Sequence, residues 1–149
     1  MSTLSPLQLN KTFFTDVRIS AQPDMAVSGN LITNVEFGGK VQTGNPRSWM
    51  LTVRVNLKAE NEKPVPYVGT VECIGIFTVL PAWPEDQIEK LVLVNGTGLI
   101  YTIIREMICS ITARGPFDVL MLPTQSFLDF YEQRKKAGAG AGAATTSAT

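Results

Sequence analysis

Two thiols, Cys73 and Cys109, and thirteen Asp and Glu carboxylates are the reactive groups this chain offers, and it contains no histidine. Without imidazole there is no Ser–His or Cys–His nucleophile pair and no His general base. The usual zinc sites are excluded as well, because the two cysteines do not form a CxxC pair. No pair of carboxylates has a spacing that fixes acid–base geometry. Gly96-x-Gly98 lacks both the third glycine and the lysine of phosphate-binding loops. The chain therefore reads as non-enzymatic, with no catalytic residue, metal or cofactor. Both cysteines read as small buried apolar residues of a reducing compartment.

What remains is the chemistry of apolar contact. Trp83 stands between Pro81 and Pro84. Two rings of fixed φ hold it in a loop, where it either lines a groove or pins the loop to the core. Phe127, Phe130 and Tyr131 recur at three- and four-residue spacing, which places them on one stripe of a short helix that Leu128 widens. They either pack the core or leave aromatic surface open to an extended peptide. Contact of that kind contributes about 25 cal/mol per Å² without directionality, which suits partners of many sequences. Arg105 and Glu106 interrupt an apolar helix, as a polar clasp at a subunit interface or as a solvated face.

The elements that position these residues follow from periodicity. Trp49, Leu51, Val53, Val55 and Leu57 alternate with polar or lone apolar neighbours, and period two puts them on one face of a strand. Weaker alternation predicts strands over 9–20 and 31–41, with a bulge at Gly38-Gly39. A fourth strand spans 67–80. Its small residues Gly69, Cys73 and Gly75 share one parity, so another element must approach closely there. Four strands joined by turns make an antiparallel sheet with one covered face. The prolines at 81 and 84 end it, and residues 87–94 read either as a short helix or as an extended crossover. Residues 99–114 predict a helix with a stripe of Ile100, Ile103, Ile104, Met107, Ile108 and Ile111. Gly115 is expected at a left-handed cap before Pro116. A short helix follows Ser126, with Arg134, Lys135 and Lys136 at its C-terminal end.

The chain has 149 residues, 44% of them apolar, and formal net charge zero. That is one domain with a real core. Balanced charge argues against nucleic acid and permits a homo-oligomer. Residues 1–8 are expected to be flexible, 9–136 to fold, and the Gly/Ala/Thr/Ser tail at 137–149 to be disordered. The N-terminus lacks the basic and apolar regions of a signal peptide. The apolar stretch from Leu91 to Ile104, broken by Asn95, Gly96 and Gly98, falls short of the ~20 residues that span a bilayer. A soluble, cytoplasmic protein with no direct membrane insertion is expected.

Several short motifs resemble the SecB family of export chaperones. Gly75-Ile76-Phe77 is similar to the Gly-Ile-Phe that closes that family's sheet. Arg105-Glu106, followed by Arg114-Gly115 and Phe117, resembles its long-helix signature. Leu122 with Phe127 resembles its Leu-x-Pro-Val-Asn-Phe segment, and Asp16-Val17 its first-strand Asp-Ile. The resemblance spans 16–136 and implies an α+β subunit: four antiparallel strands, a crossover loop, a long helix on the sheet and a short C-terminal helix. It implies an ATP-independent holdase that keeps unfolded preproteins export-competent, assembled as a tetramer with the long helices between two sheet layers. The implied client surface comprises Val35, Phe37, Trp83, Leu120, Leu122, Phe127, Phe130 and Tyr131. Arg105, Glu106, Cys109 and Thr112 are the implied oligomer contacts, and Asp16 a contact for the motor ATPase SecA. Ser20 and Thr70 stand where the family often has acids. A SecB-like chaperone for a toxin–antitoxin pair fits the same motifs. From other classes, a small-molecule or lipid-binding α+β domain and a structural assembly subunit also remain.

Overall fold

The computed structural model describes residues 3–23 and 27–137 and the backbone of 142–148. Strands β1 (Leu7–Ala21), β2 (Leu31–Gln42), β3 (Asn45–Ala59) and β4 (Tyr67–Val79) form the expected antiparallel sheet, in the order β1-β4-β3-β2. Its covered face follows from the alternation on β3, where Leu51, Val53, Val55 and Leu57 are all buried. One row of four valines crosses the sheet, Val35 beside Val55, Val55 beside Val71 and Val71 beside Val17. Branched side chains suit such a pleated, half-buried surface.

Two bulges in β1, between Leu9 and Lys11 and between Phe14 and Asp16, interrupt the alternation expected over 9–20. Phe13 thereby stands beside Ile74 on the open face, while Val17 returns to the inner side. The bulge expected at Gly38-Gly39 is absent; those residues pair regularly with Thr52 and Leu51, and the shift falls between Val41 and Gln42. Gly39 is small for another reason. A Cβ there would lie 3.0 Å from Leu93 and 3.1 Å from the Trp49 ring.

After the sheet the chain turns directly into helix. A short 3-10 turn (Glu85–Gln87), α1 (Ile88–Leu91), a π-helical turn (Val92–Gly96) and α2 (Thr97–Thr112) run on without interruption. Of the two readings of 87–94, the helix is the one that forms, and it runs on through Gly96. Asn95 and Gly96 do not break it, because the π turn absorbs them and Gly96 packs against Leu51 and Phe77. The full run, Glu85–Thr112, is long and apolar enough by length and composition to cross a membrane, contrary to the shorter stretch expected; half of its most apolar window is buried in the protein.

Ile100, Ile104 and Ile108 seat α2 on the sheet and are fully buried with Phe77 and Leu51. The close approach expected at the small β4 positions is met by this helix at Gly75, with Ile100 directly over it; at Gly69 the close neighbour is instead the β1 backbone at Arg18 and Ile19. Burial pushes the Cys73 thiol up from its ordinary value, in keeping with an apolar filler. Gly115 does not take the left-handed cap conformation; positive φ among the described glycines occurs at Gly44 and Gly69. Its smallness admits the Tyr67 ring instead. The Tyr67 hydroxyl donates to the Thr112 carbonyl and accepts the Phe117 N–H at 3.2 Å, fastening the helix end to β4.

The short helix α3 (Leu128–Ala137) follows, with Asp129 in its first turn and the three cations in its last. The ends depart from expectation. Leu7, placed in the flexible start, is buried at the head of β1. Strand β5 (Gly142–Ala148) lies in the stretch expected to be disordered, and extends the sheet as a neighbour of β2. Small side chains have nothing to bury, but backbone pairing to an unpaired edge needs no side chain. Residues 1–2, 24–26, 138–141 and 149, on which parts of the terminal and loop expectations fall, lie outside the described residues.

Candidate functional site

The proline-bounded turn after β4 is positioned by Arg47, at the start of β3. Its guanidinium donates to the Leu80 carbonyl at 2.7 Å and the Trp83 carbonyl at 2.8 Å, and so holds the proline-bounded turn against the sheet. The Trp83 indole N–H donates to the Gln87 carbonyl at 3.3 Å, tying the ring to the end of the 3-10 turn. The ring remains half-buried, with one face toward an open groove. That groove holds about 350 Å³ and is lined by Trp83, Gln87, Lys90, Leu91, Val94, Asn95 and Leu128. Its floor is the apolar side of α1 and the π turn, and α3 supplies its far wall through Leu128.

Phe127 fixes that wall. Its ring is buried between Phe37, at 5.7 Å, and Tyr101, at 5.5 Å, both edge-on. The Tyr101 hydroxyl donates to the Pro123 carbonyl at 2.7 Å, and burial pushes its pKa up. Phe130 stacks outside this cluster, 6.0 Å from Phe127, and is half-buried. The Arg134 guanidinium lies 5.9 Å from the Phe37 ring centre. Tyr131 turns inward and is buried, beneath Lys135.

Of the eight residues expected on a client surface, Val35, Phe37, Leu122, Phe127 and Tyr131 are closed to solvent in the subunit. A sealed side chain has no free area to share, so these five build the walls rather than the lining. Trp83 and Phe130 keep open surface by the crossover and α3. Leu120 belongs to a second groove of about 440 Å³ between the 27–31 turn, Pro66-Tyr67 and the connector 118–121. Val119 and Met121 on that rim are among the most exposed apolar residues of the chain, at 51% and 63%. The space between sheet and α2, where an enclosed lipid cavity would lie, is filled by Phe77, Leu51, Ile100, Ile104 and Ile108.

The expected oligomer contacts meet the subunit's own connector. Arg105 donates through Nε to the Leu122 carbonyl at 2.9 Å, and the Cys109 thiol lies 3.7 Å from the Met121 sulfur. Thr112 is fully buried; its hydroxyl donates to the Ile108 carbonyl and accepts the Leu120 N–H at 3.0 Å. Thr112 therefore has no surface to give an interface, because the connector already covers that flank of α2. Glu106 stays exposed. The flank left open carries Leu99, 45% exposed, with Ile103, Met107 and Ile111 half-buried. The stripe expected from the sequence joined Ile103, Met107 and Ile111 of this row to the buried isoleucines, since both are apolar and contiguous on a helical wheel.

On the opposite sheet face, register aligns Asp16, Glu72, Arg54 and Glu36 across four strands. Arg18 pairs with Asp16 at 2.8 Å, and Arg54 reaches Asp16 at 3.4 Å and Glu72 at 3.5 Å. The hydrogen bonds from Arg18 hold the Asp16 carboxyl below its ordinary value, with both guanidinium charges adding to the effect. Asp16 is thus engaged within the subunit rather than presented as a free acid.

A covered antiparallel sheet, a long helix and apolar grooves under a proline-bounded crossover define an α+β subunit of the SecB type. The family described as preprotein translocase subunit SecB matches residues 5–138, and the chain belongs to it. It is similar to protein-export protein SecB of Ehrlichia chaffeensis, 25% identical over 96 residues, covering 60% of this chain and 55% of that protein. The SecB of Hyphomonas neptunium is 21% identical over 117 residues, with 78% of this chain and 70% of that one covered. The chain thus spans little more than half of the Ehrlichia relative. In fold it resembles a SecB-like chaperone of Mycobacterium tuberculosis, solved in complex with a ChAD peptide from the HigA1 antitoxin. The TM-score is 0.59 at 16% identity, over 81% of this chain and 91% of the other.

Proposed function

We propose that this chain is an ATP-independent holdase that binds unfolded polypeptide, keeps preproteins competent for export and catalyses no reaction. The observation that carries the reading is the open groove in which Trp83, Val94 and Leu128 present apolar surface over the buried Leu91, with Gln87, Lys90 and Asn95 at its polar margin. Such a trough takes extended side chains of varied sequence, and the second groove at Leu120, Val119 and Met121 gives one long client another weak hold. Val35, Phe37, Leu122, Phe127 and Tyr131 act in this reading as the rigid frame. The working unit is a cytoplasmic homo-oligomer, a tetramer, closed through Leu99, Ile103 and Met107 on the open flank of α2. Glu106 lies at the margin of that flank.

A second reading has one supporting observation: the M. tuberculosis chaperone of similar fold is held with an antitoxin peptide. A dedicated antitoxin client would use the same groove. Delivery to SecA is the more demanding proposal, because Asp16 would have to exchange Arg18 and Arg54 for the motor.

The test is suppression of aggregation of a denatured enzyme without nucleotide, by the native chain and by a Trp83→Ser/Leu128→Ser variant. Native mass spectrometry on both follows the assembly. Loss of suppression in a folded variant is expected. Full suppression by that variant would remove the groove from the mechanism. Addition of SecA to the loaded complex then separates export handoff from a dedicated client.

A further inference from the structure

We propose that the outer edge of β2 accepts an extended segment of an unfolded polypeptide as an added strand, and that residues 142–148 of the chain itself hold this edge until a client displaces them. The proposal deepens the holdase reading and rests on it. Its starting point is the sheet order, in which β5 is the neighbour that completes β2. The pairing runs over seven positions, from Leu31 opposite Ala148 to Phe37 opposite Gly142. A sheet edge offers a regular row of N–H and C=O groups that any backbone can meet, whatever its sequence.

The occupant is weakly equipped to stay. Gly142-Ala143-Ala144-Thr145-Thr146-Ser147-Ala148 has no residue larger than threonine. Gly and Ala are poor strand formers. The net gain from a backbone hydrogen bond is comparable to the cost of ordering the residue that makes it. With only Gly, Ala, Ser and Thr to contribute side-chain area, the balance for such a strand lies near zero. A client segment rich in branched and aromatic residues makes the same backbone bonds and buries area besides. Its tethering gives the tail a high effective concentration, so the tail competes without binding tightly.

The edge is also in the right place. Val35 and Phe37, within the paired stretch, are buried on the inner face, and Phe37 touches Phe127 at the head of α3. Helix α3 packs beside β5. A strand that replaces β5 therefore runs alongside the helix that carries Leu128 and Phe130. One client chain can bond by backbone at β2 and place side chains in the groove.

The experiment uses the full chain and its Ala144→Pro/Thr145→Pro variant. Proline cannot donate to a ladder, and adjacent prolines occupy both parities, so one of them disrupts pairing to β2 in either register. The probe is a permanently unfolded protein with carboxymethylated cysteines. Tail occupancy lowers apparent affinity by the fraction of edge left free, so the variant is expected to bind about three- to tenfold tighter. The amides of residues 31–37 that point toward β5 should exchange more slowly in the native chain than in the variant alone, and slowly again when the variant is loaded, while those bonded to β3 stay protected throughout. Unchanged affinity, or amides that stay fast in the loaded variant, would overturn the proposal while leaving the holdase intact. No binding by either chain would instead remove the holdase reading and this inference with it. Protection of 31–37 that rises with protein concentration would assign the edge to the tail of a second copy, and would also overturn the proposal.

Discussion

The Phe127 ring meets Phe37 edge-on, at 5.7 Å between centroids and 79° between planes, and so ties the head of α3 to the second strand. Phe127 is 3% exposed while Phe130, three residues on, keeps part of its ring in solvent. If Phe130 meets clients as proposed, the two phenylalanines divide stability from binding. Phe127→Ala should cost about 3–5 kcal/mol in urea unfolding, by lost burial plus the cavity left behind. Phe130→Ser should cost clearly less and weaken client binding in a chain that still folds. Equal losses of stability from both would place Phe130 in the core and take it off the client surface.

Gly75 is the point where helix and sheet come closest. A Cβ there would stand 2.5 Å from Ile100 Cδ1 and 2.8 Å from Phe77 Cε2. Gly75→Ala should therefore destabilise by about 1–3 kcal/mol through overpacking. Ile100→Val removes the clashing methyl, so the double variant should lose less than the two single losses added together. Strict additivity in a denaturant series would show that α2 does not press on this position.

That contact was legible before any coordinates, because Gly69, Cys73 and Gly75 share a parity with large residues on one strand. The period-two run on β3 likewise needed no tertiary information to assign its face. What remained hidden depends on partners distant in sequence. Bulges in β1 move Phe13 to the open face only because β4 pairs out of step with it. The helix passes through Asn95 and Gly96 because Leu51 and Phe77 leave room for a bare backbone there. Spacing placed Phe127, Phe130 and Tyr131 on one short helix, but the rotation of that helix is decided by Phe37 and Tyr101. The open flank at Leu99, Ile103 and Met107 was invisible for a related reason: a wheel shows apolarity, and the connector decides which side is covered.

Asp16 gives a pH test with a definite sign. Arg18 and Arg54 lower its folded-state pKa below the ordinary 3.8. Folded protein then binds fewer protons than unfolded protein in acid, so the stabilising effect is complete above the unfolded value and fades as pH falls through the folded one. The stability difference between the native chain and Asp16→Asn should be fully present at about pH 7 and shrink as pH falls through the lowered folded-state pKa. These groups are solvent-facing, so ~1 M salt should also shrink it. A difference that ignores both pH and salt would mean the carboxylate contributes through packing alone.

Thr112 distinguishes a fastening within the subunit from a contact between subunits. Its hydroxyl accepts the Leu120 N–H at 3.0 Å and is fully buried among residues of the same chain. Valine has the same shape but no acceptor, so Thr112→Val strands a buried amide, at a cost of about 1–3 kcal/mol. The connector carries Leu120 and Met121, so its loosening should also speed amide exchange over 117–122. The assembly seen by native mass spectrometry should not change, because the open flank of α2 is untouched. A variant that folds with undiminished stability but falls apart into smaller species would return Thr112 to the interface, and the tie between α2 and the connector would lose its role.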